Sequence, residues 1–321
     1  MTELPGASNW KLTIQREPDG ITILQARTCD RRASLPETLF DLPVTALGHH
    51  ALSPTARPQE GEEVLLTCGP GSGDWDNTGL EELTLPDTIV RVGDYAFLNC
   101  RALWKLCFHD EIQAWGGGAM INCPNLAAFH ISWGEEPGES LCYLADALSR
   151  ELDVTIDTKE TRFKLVFPEY VELYEENCPA RIFDYNIQGA GYPYHHCFRG
   201  KKLNLLEYDS LWPGLLTMEY EEQTALRLAW YRLRYPVELG EKAEPLYRSY
   251  LQAHMAKTLD WLLETGTASD LTALLKWAEP TREELSAACE KARGQQNAAE
   301  VLAVLLETMN RRFSRKKTFD L

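Results

Sequence analysis

Residues 80–102 read LEELTLPDTIVRVGDYAFLNCRA, residues 103–125 read LWKLCFHDEIQAWGGGAMINCPN, and residues 126–132 open a third unit with LAAFHIS. Similar residues recur at an interval of 23. The matching positions are Leu80/Leu103/Leu126, Leu83/Leu106/Phe129, Leu85/Phe108/Ile131, Ile89/Ile112, Gly93/Gly116, Ala96/Ala119, Asn99/Asn122 and Cys100/Cys123. This pattern predicts a solenoid, because stacked repeats bury a continuous core that no single unit can bury alone.

Each column of the repeat has a physical interpretation. The spacing L-x-x-L-x-L sends the first, fourth and sixth side chains into the interior, where each stacks on its equivalent in the next unit. Gly93 and Gly116 predict tight bends, at which a side chain would collide or the backbone needs a positive φ. We expect Asn99 and Asn122 to lie one above the other and to hydrogen-bond the backbone of the turn. The cysteine after each asparagine is interpreted as a small buried apolar residue.

The unit L-x-x-L-x-L/F-P/H-x-x-I followed by V/W-G-x-x-A-F/M-x-N-C resembles the BspA-type leucine-rich repeat of bacterial surface and gut proteins. A degenerate copy, SLPETLFDLPVTALGHHAL (34–52), has five more residues between its proline and glycine, so we expect its return segment to bulge. The resemblance implies a leucine-rich-repeat solenoid with one strand and one return segment per turn. It also implies a binding scaffold without catalytic residues, and it assigns no functional residue.

Composition restricts the classes of function. The chain has 321 residues, a net charge of −16 and a pI near 4.9, which argues against general binding to nucleic acid. Its nine cysteines are an odd number without a CxxC pair, so we expect free thiols rather than a disulfide framework. The N-terminal residues do not resemble a secretory signal, and no apolar stretch is long enough to span a membrane. We therefore expect a cytoplasmic location, or the cell surface if a leader has been removed.

The segments flanking the repeat predict its ends. Residues 10–27 read as two alternating strands around the turn EPDG, an N-terminal hairpin that caps the solenoid. After residue 132 the regular spacing stops, and SLCYLADALSREL (140–152) has helical periodicity. VTIDT (154–158) and FKLVF (163–167) read as strands that close the C-terminal side. We assign residues 1–168 to the solenoid and 169–217 to an irregular connecting segment.

Residues 218–321 predict an all-α helical-repeat domain of five or six helices. Apolar residues recur at helical spacing in 219–236, 241–266 and 268–280. Thr281 with Glu284, and Asn297 with Glu300, read as capping boxes, and Ser269 or Asp270 as a further helix start. LLETG (262–266) and the helix pair from Thr281 to Met309 are similar to degenerate ankyrin repeats, which implies stacked helix pairs.

The predicted function is that of a non-catalytic protein–protein interaction scaffold. The residues between the leucines of each strand project outward. They form two candidate partner-binding columns, namely Glu82, Lys105 and Ala128, and Thr84, Cys107 and His130. The sequence predicts no cofactor, and it does not identify the protein partner.

Three further functions stay open from the sequence. His195 and Cys197 lie on the same side of an extended segment, which suits a thiol-dependent enzyme. They also suit a metal site completed by residues such as His49, His50 or Asp184. The third function is that of a nucleic-acid-binding regulator that uses the basic C-terminal tail. The cations of that tail are Arg311, Arg312, Arg315, Lys316 and Lys317.

Overall fold

The computed structural model describes residues 2–69, 73–177, 182–218, 220–294 and 298–313. The chain is a mixed α/β protein and divides into two compact units, Met1–Tyr220 and Glu221–Leu321. Residues 169–217, for which the sequence predicts an irregular connection, belong to the first unit.

The first unit is built mainly from short strands. They are β1 Thr2–Pro5, β2 Trp10–Glu17, β3 Gly20–Arg27, β4 Arg32–Ser34, β5 Thr38–Leu39, β6 Leu42–Leu47, β7 Glu62–Thr67, β8 Glu82–Thr84, β9 Arg91–Val92, β10 Lys105–His109, β11 Ala114–Trp115, β12 Ala128–Ser132, β13 Leu152–Asp157, β14 Arg162–Phe167, β15 Val171–Asn177, β16 Ile182–Gln188, β17 Phe198–Arg199 and β18 Lys202–Leu203. The helices of this unit are α1 Ser140–Ala147, α2 Gly191–His195, α3 Leu205–Ser210 and α4 Trp212–Leu215.

One sheet carries the repeat, and we call it the repeat sheet. Its strand order is β14-β13-β12-β10-β8-β4, and every pair except β13–β14 is parallel. Leu106 lies opposite Leu83 on one side and Phe129 on the other, and all three are buried. The predicted register of the repeat is therefore confirmed, because residues 23 apart pair across adjacent strands.

The second sheet, here the return sheet, has the order β1-β7-β2-β3-β6-β9-β11. It includes the predicted N-terminal hairpin, in which β2 and β3 pair antiparallel. Its later strands leave room only for glycine at the bends. A Cβ on Gly93 would lie 2.6 Å from the carbonyl carbon of Gly48, and one on Gly116 would lie 2.2 Å from the backbone nitrogen of Asp94. Glycine is required at both positions because a side chain would collide with the adjacent repeat, and not because the backbone needs a positive φ.

The asparagine column differs in detail from the prediction. Asn99 and Asn122 do lie one above the other, both with positive φ. They bond each other through their side chains, with the Asn122 amide donating to Asn99 Oδ1. Asn99 Nδ2 donates to Thr55 Oγ1 at 2.8 Å. The contacts described are thus a ladder of side chains and not the predicted bonds to the backbone of the turn.

The extra residues of the degenerate first copy form a small hairpin. Strands β5 and β6 pair antiparallel, with Thr38 opposite Pro43 and Leu39 opposite Leu42. Phe40 and Asp41 make the turn with φ values of 52° and 63°. The predicted bulge therefore takes the form of a two-residue β-turn.

The C-terminal edge of the repeat sheet is closed differently from its interior. Helix α1 follows the last repeated strand, and Val154 pairs with Phe129 although 25 residues separate them. Strand β14 then reverses direction against β13. The hydroxyl of Tyr208 on α3 accepts from the Val166 amide at 3.3 Å and donates to the Val166 carbonyl at 2.5 Å. Residues 169–217 are more regular than predicted, since they hold the β15–β16 hairpin, the β17–β18 hairpin and short helices.

The second unit is helical, as predicted. Its described helices are α5 Glu222–Arg234, α6 Ala243–Ala253, α7 Met255–Thr265, α8 Ala268–Leu275, α9 Arg282–Ala292 and α10 Ala298–Phe313. Helix α7 contacts α8 and α9, and α10 contacts α8 and α9. Two helix pairs therefore lie against each other. Among the described helices, none has both the length and the apolar character that a membrane span requires.

Helix starts in the second unit were predicted with mixed success. The capping box of Thr281 and Glu284 is confirmed. The N-cap of α8 is Thr267, which forms a capping box with Asp270, so the predicted starts at Ser269 or Asp270 were wrong. The box expected at Asn297 involves a residue outside the described part of the chain.

Candidate interaction surface

The six residues predicted to bind a partner lie on one face of the repeat sheet. Lys105 is the register neighbour of Glu82 and Ala128, and Cys107 is the neighbour of Thr84 and His130. Each side chain is half-buried or exposed, whereas the intervening residues of the same strands are buried. We call the solvent-facing side of the repeat sheet the outer face.

Charged residues at one end of the outer face form ion pairs with one another. Glu82 lies between two cations, 2.8 Å from Arg32 Nε and 3.5 Å from Lys105 Nζ. The three residues come from adjacent strands, so the pairs cross the sheet.

A second charge network lies toward β14. Asp157 accepts from Arg162 through both carboxylate oxygens, at 2.5 and 2.7 Å, and Asp157 Oδ2 lies 2.7 Å from His130 Nε2. The hydrogen bonds from Arg162 are the main reason that the pKa of Asp157 falls to about 2. The contact to His130 lowers it further. Asp157 is therefore ionised at neutral pH, and its charge is locally compensated.

Between the two networks the outer face is mainly uncharged, although Asp153 on β13 lies there as the register neighbour of Ala128. It contains Thr84, Cys107 and Ala128, and the side chain of Trp104 at its edge is 40% exposed. The Trp104 carbonyl accepts from the amides of Ala127 and Ala128 at 3.2 and 3.0 Å, which fixes the backbone below the ring. Burial raises the pKa of the Cys107 thiol, so this residue is a packing group and not an activated nucleophile.

The sequence interpretation omitted Trp104 and Asp157 from the candidate surface. Trp104 precedes the L-x-L segment, in a column whose other members are Glu81 and Ala127. Trp104 could have been found from the sequence, because it is a large aromatic residue in a column whose other members are polar or small. Asp157 follows the end of the 23-residue spacing, so no column pointed to it.

His195 and Cys197, considered as a catalytic pair from the sequence, both make hydrogen bonds to the backbone. The Cys197 thiol is buried and donates to the Tyr194 carbonyl at 2.9 Å, and burial raises its pKa to about 12. Both ring nitrogens of His195 face backbone carbonyls, those of Ala145 at 2.8 Å and Pro168 at 2.9 Å. These contacts do not favour a thiol-dependent enzyme.

A metal site and a nucleic-acid-binding tail gain no support from the geometry. Within the described ranges, no three histidine, cysteine or carboxylate side chains come together as metal ligands. Of the basic tail, Arg312 donates to the carbonyls of Leu275 and Ala278 at 3.4 and 2.6 Å, a local role at the end of α8. The tail cations from residue 314 onward lie outside the described residues, so their predicted role stays untested.

Comparison with models of known protein families finds no match, and comparison with curated proteins finds none either. Among solved structures, the chain is similar to the crystal structure of a T. pallidum leucine-rich repeat protein. The identity is 15%, the match covers 40% of this chain and 71% of the other, and the TM-score is 0.23. At this level the likeness adds nothing to the assignment of fold or function, which depends on the chain's own geometry.

Proposed function

We propose that the first unit is a BspA-type leucine-rich-repeat solenoid and that it acts as a non-catalytic protein-interaction scaffold. The observation that carries the proposal is the register of the repeat sheet, in which buried leucine columns alternate with outward columns at equivalent positions. Repeat arrays of this kind present extended faces to protein partners. The proposal includes the cytoplasmic location expected from the sequence.

For the second unit we propose an ankyrin-like helical repeat. The support is the contact of α7 with α9 and of α8 with α10, together with the contacts within each pair. Stacked helix pairs bury one face against the neighbouring pair and leave another for binding. This unit would add a second interaction surface to the same chain.

The outer face has the composition of a protein-binding patch. Interfaces place aromatic and uncharged groups at the centre and charged groups at the rim. Here Thr84, Cys107 and Ala128 lie between the Glu82 and Asp157 networks, and the exposed ring of Trp104 lies at the edge beside Lys105. Because the carboxylates of Glu82 and Asp157 are already paired within the chain, the partner does not have to neutralise them.

The proposal is tested by affinity capture from the host, with wild-type protein and three variants as bait. Trp104→Ala removes the proposed anchor, and we expect at least about a 30-fold loss of affinity for the captured partner, the scale of an interface hot spot. Lys105→Glu reverses a charge on the outer face and should weaken binding to a smaller extent. Arg101→Glu makes the same charge change at an exposed position in a turn and should leave binding intact.

Affinities are then measured with the purified partner. Equal binding by wild type, Trp104→Ala and Lys105→Glu would remove the outer face from consideration. Loss of binding in Arg101→Glu as well would point to a net-charge effect instead of a defined surface.

A further inference from the structure

A cavity of about 790 Å³ lies in the first unit, on the side of the return sheet. Strand β11 and the segment before it form one wall, α1 forms a second, and residues from α2 to the β17–β18 turn form a third. Its volume is within the range of sites that hold small organic groups and far exceeds that of a single ion. The proposed scaffold function does not use this cavity.

Acidic groups predominate in the cavity wall. Asp110, Glu111, Glu139 and Asp146 contribute four carboxyl groups, against the single ammonium of Lys201. Lys201 Nζ pairs with Glu139 at 2.7 Å. Within the part of the chain that the structure describes, Glu111 and Asp146 form no ion pair. The remaining charge favours a cationic ligand.

One of these carboxyl groups is buried with an unused acceptor. Asp110 is 5% exposed, and its Oδ1 accepts from the Ser140 amide at 3.3 Å at the start of α1. Its Oδ2 forms no hydrogen bond with any described residue. Trp133 Nε1 lies beside this carboxyl group and is a donor available to it within the fold, although neither Nε1 nor Oδ2 completes a hydrogen bond with a described residue. An acceptor left unpaired in a buried carboxyl group is costly, so this carboxyl group adds to the acidic character of the wall at a cost in stability.

A fixed aromatic pair forms another part of the wall. Trp115 and Tyr143 are stacked, with ring centroids 5.1 Å apart and planes inclined by 12°. Trp115 Nε1 donates to Ser140 Oγ at 2.9 Å, and the Tyr143 hydroxyl donates to the Gly116 carbonyl at 3.0 Å. Both rings are therefore held in place beside the carboxyl groups. A flat cation can stack on aromatic rings of this kind while it donates to neighbouring carboxylates.

We propose that this cavity binds a guanidinium group, presented as an arginine side chain of a peptide or protein. The guanidinium carries five N–H donors in one plane. Glu111 and Asp146 supply exposed acceptors, the buried carboxyl group of Asp110 adds to the acidic wall, and the Trp115–Tyr143 pair supplies the stacking surface. An ammonium group has the charge but not the planar shape, and citrulline has the shape but not the charge.

The test is a titration of the full chain followed through the indole N–H resonances of its tryptophans. The Trp115 signal is assigned from its loss in Trp115→Phe. Three probes are compared, namely the Nα-acetyl methylamides of arginine, citrulline and lysine. We expect a saturable shift of the Trp115 signal with the arginine probe, a weaker one with lysine, and none with citrulline.

The double variant Glu111→Gln/Asp146→Asn removes the two exposed, unpaired carboxylates. It should raise the Kd of the arginine probe at least about fivefold, equivalent to two partly screened charge contacts. The matched control Glu63→Gln/Asp87→Asn removes the same charge from exposed positions outside the cavity wall and should leave the Kd unchanged. The ligand-free spectrum of each variant verifies its fold.

Three results would overturn the proposal. The first is that the arginine probe does not shift the Trp115 signal. The second is that citrulline shifts it as much as arginine does, or that lysine binds with a lower Kd than arginine. The third is that the Kd of the arginine probe is unchanged in the Glu111/Asp146 double variant.

Discussion

The two units of this chain fix their structure through different kinds of contact. In the repeat sheet, a residue packs on its own equivalent, as Leu106 does on Leu83 and Phe129. In the helical unit, the start of a helix is fixed by two residues three positions apart, as Thr281 and Glu284 fix the start of α9. The first kind of contact is long-range and repeated, and the second is local. A substitution in the first unit should therefore act across neighbouring turns, whereas one at a helix cap should act on a single helix.

Gly116→Ala tests the long-range side of this comparison and should have the largest effect. The new methyl group would meet backbone atoms of Gly93 and Asp94, which cannot move as a flexible side chain would. We expect the free energy of unfolding of the first unit to fall by at least about 3 kcal/mol. Urea unfolding measures the loss, and hydrogen exchange localises it.

Gly117→Ala is the matched control, because the nearest atom to its added Cβ would be Asp94 Oδ1 at 3.7 Å. It should change stability by less than about 1 kcal/mol. Similar losses in the two variants would mean that the collision between turns is not what requires glycine.

Thr281→Ala tests the local side of the comparison. The Thr281 hydroxyl accepts from the Glu284 amide at 3.2 Å, and Ala removes this bond. We expect a loss of about 1 kcal/mol, with faster hydrogen exchange confined to the start of α9. Thr281→Ser keeps the hydroxyl and should retain most of the stability. If exchange increased in both units, the division into long-range and local contacts would be wrong.

Asp157→Asn sharpens the comparison within the first unit. It measures how much a surface ion pair contributes to the free energy of unfolding, relative to the buried columns. Because the folded pKa of Asp157 lies near 2, below the usual value near 4, its ion pairs stabilise the fold above about pH 4. That contribution is lost as the pH falls from about 4 through about 2. At this partly exposed site we expect about 0.5–1 kcal/mol at pH 7.

The measurement is urea unfolding of wild type and Asp157→Asn at pH 7 and at pH 2. The difference should shrink at the lower pH, because about half of the Asp157 carboxyl groups are protonated in the folded protein at a pH equal to their pKa. Ser132→Ala, at the register neighbour of Asp157, serves as the non-titrating control. A difference as large at pH 2 as at pH 7 would assign the effect to packing.

Sequence reasoning succeeded where a period or a local motif was present. The 23-residue interval predicted which leucines pair, and T-x-x-E predicted the start of α9. It did not predict the hairpins and helices of residues 169–217, because their order depends on packing against an edge of the sheet. Tyr208 illustrates this, since its hydroxyl bonds Val166, 42 residues earlier, and no local pattern indicates such a contact.

The same reasoning explains why one candidate site was predicted and the other was not. The outer face follows from strand periodicity, because alternate residues of L-x-L point to the same side. The cavity takes its carboxyl groups from residues 110–111 and 139–146 and its third wall from residues 195–201. No common spacing joins these segments. The sequence directed attention to His195 and Cys197 for their chemistry, but their hydrogen bonds go to the backbone.

The reversal of β14 determines where this array can grow. An extra copy of residues 103–125, inserted between two existing turns, would offer the same pairing edge above and below and would lengthen the sheet by one strand. A copy could not be added in the same way beyond β14. This strand runs antiparallel to β13, and the Tyr208 hydroxyl already bonds the backbone amide and carbonyl of Val166. Relatives that differ in length should therefore differ by internal duplications, with the closing strand carried along unchanged.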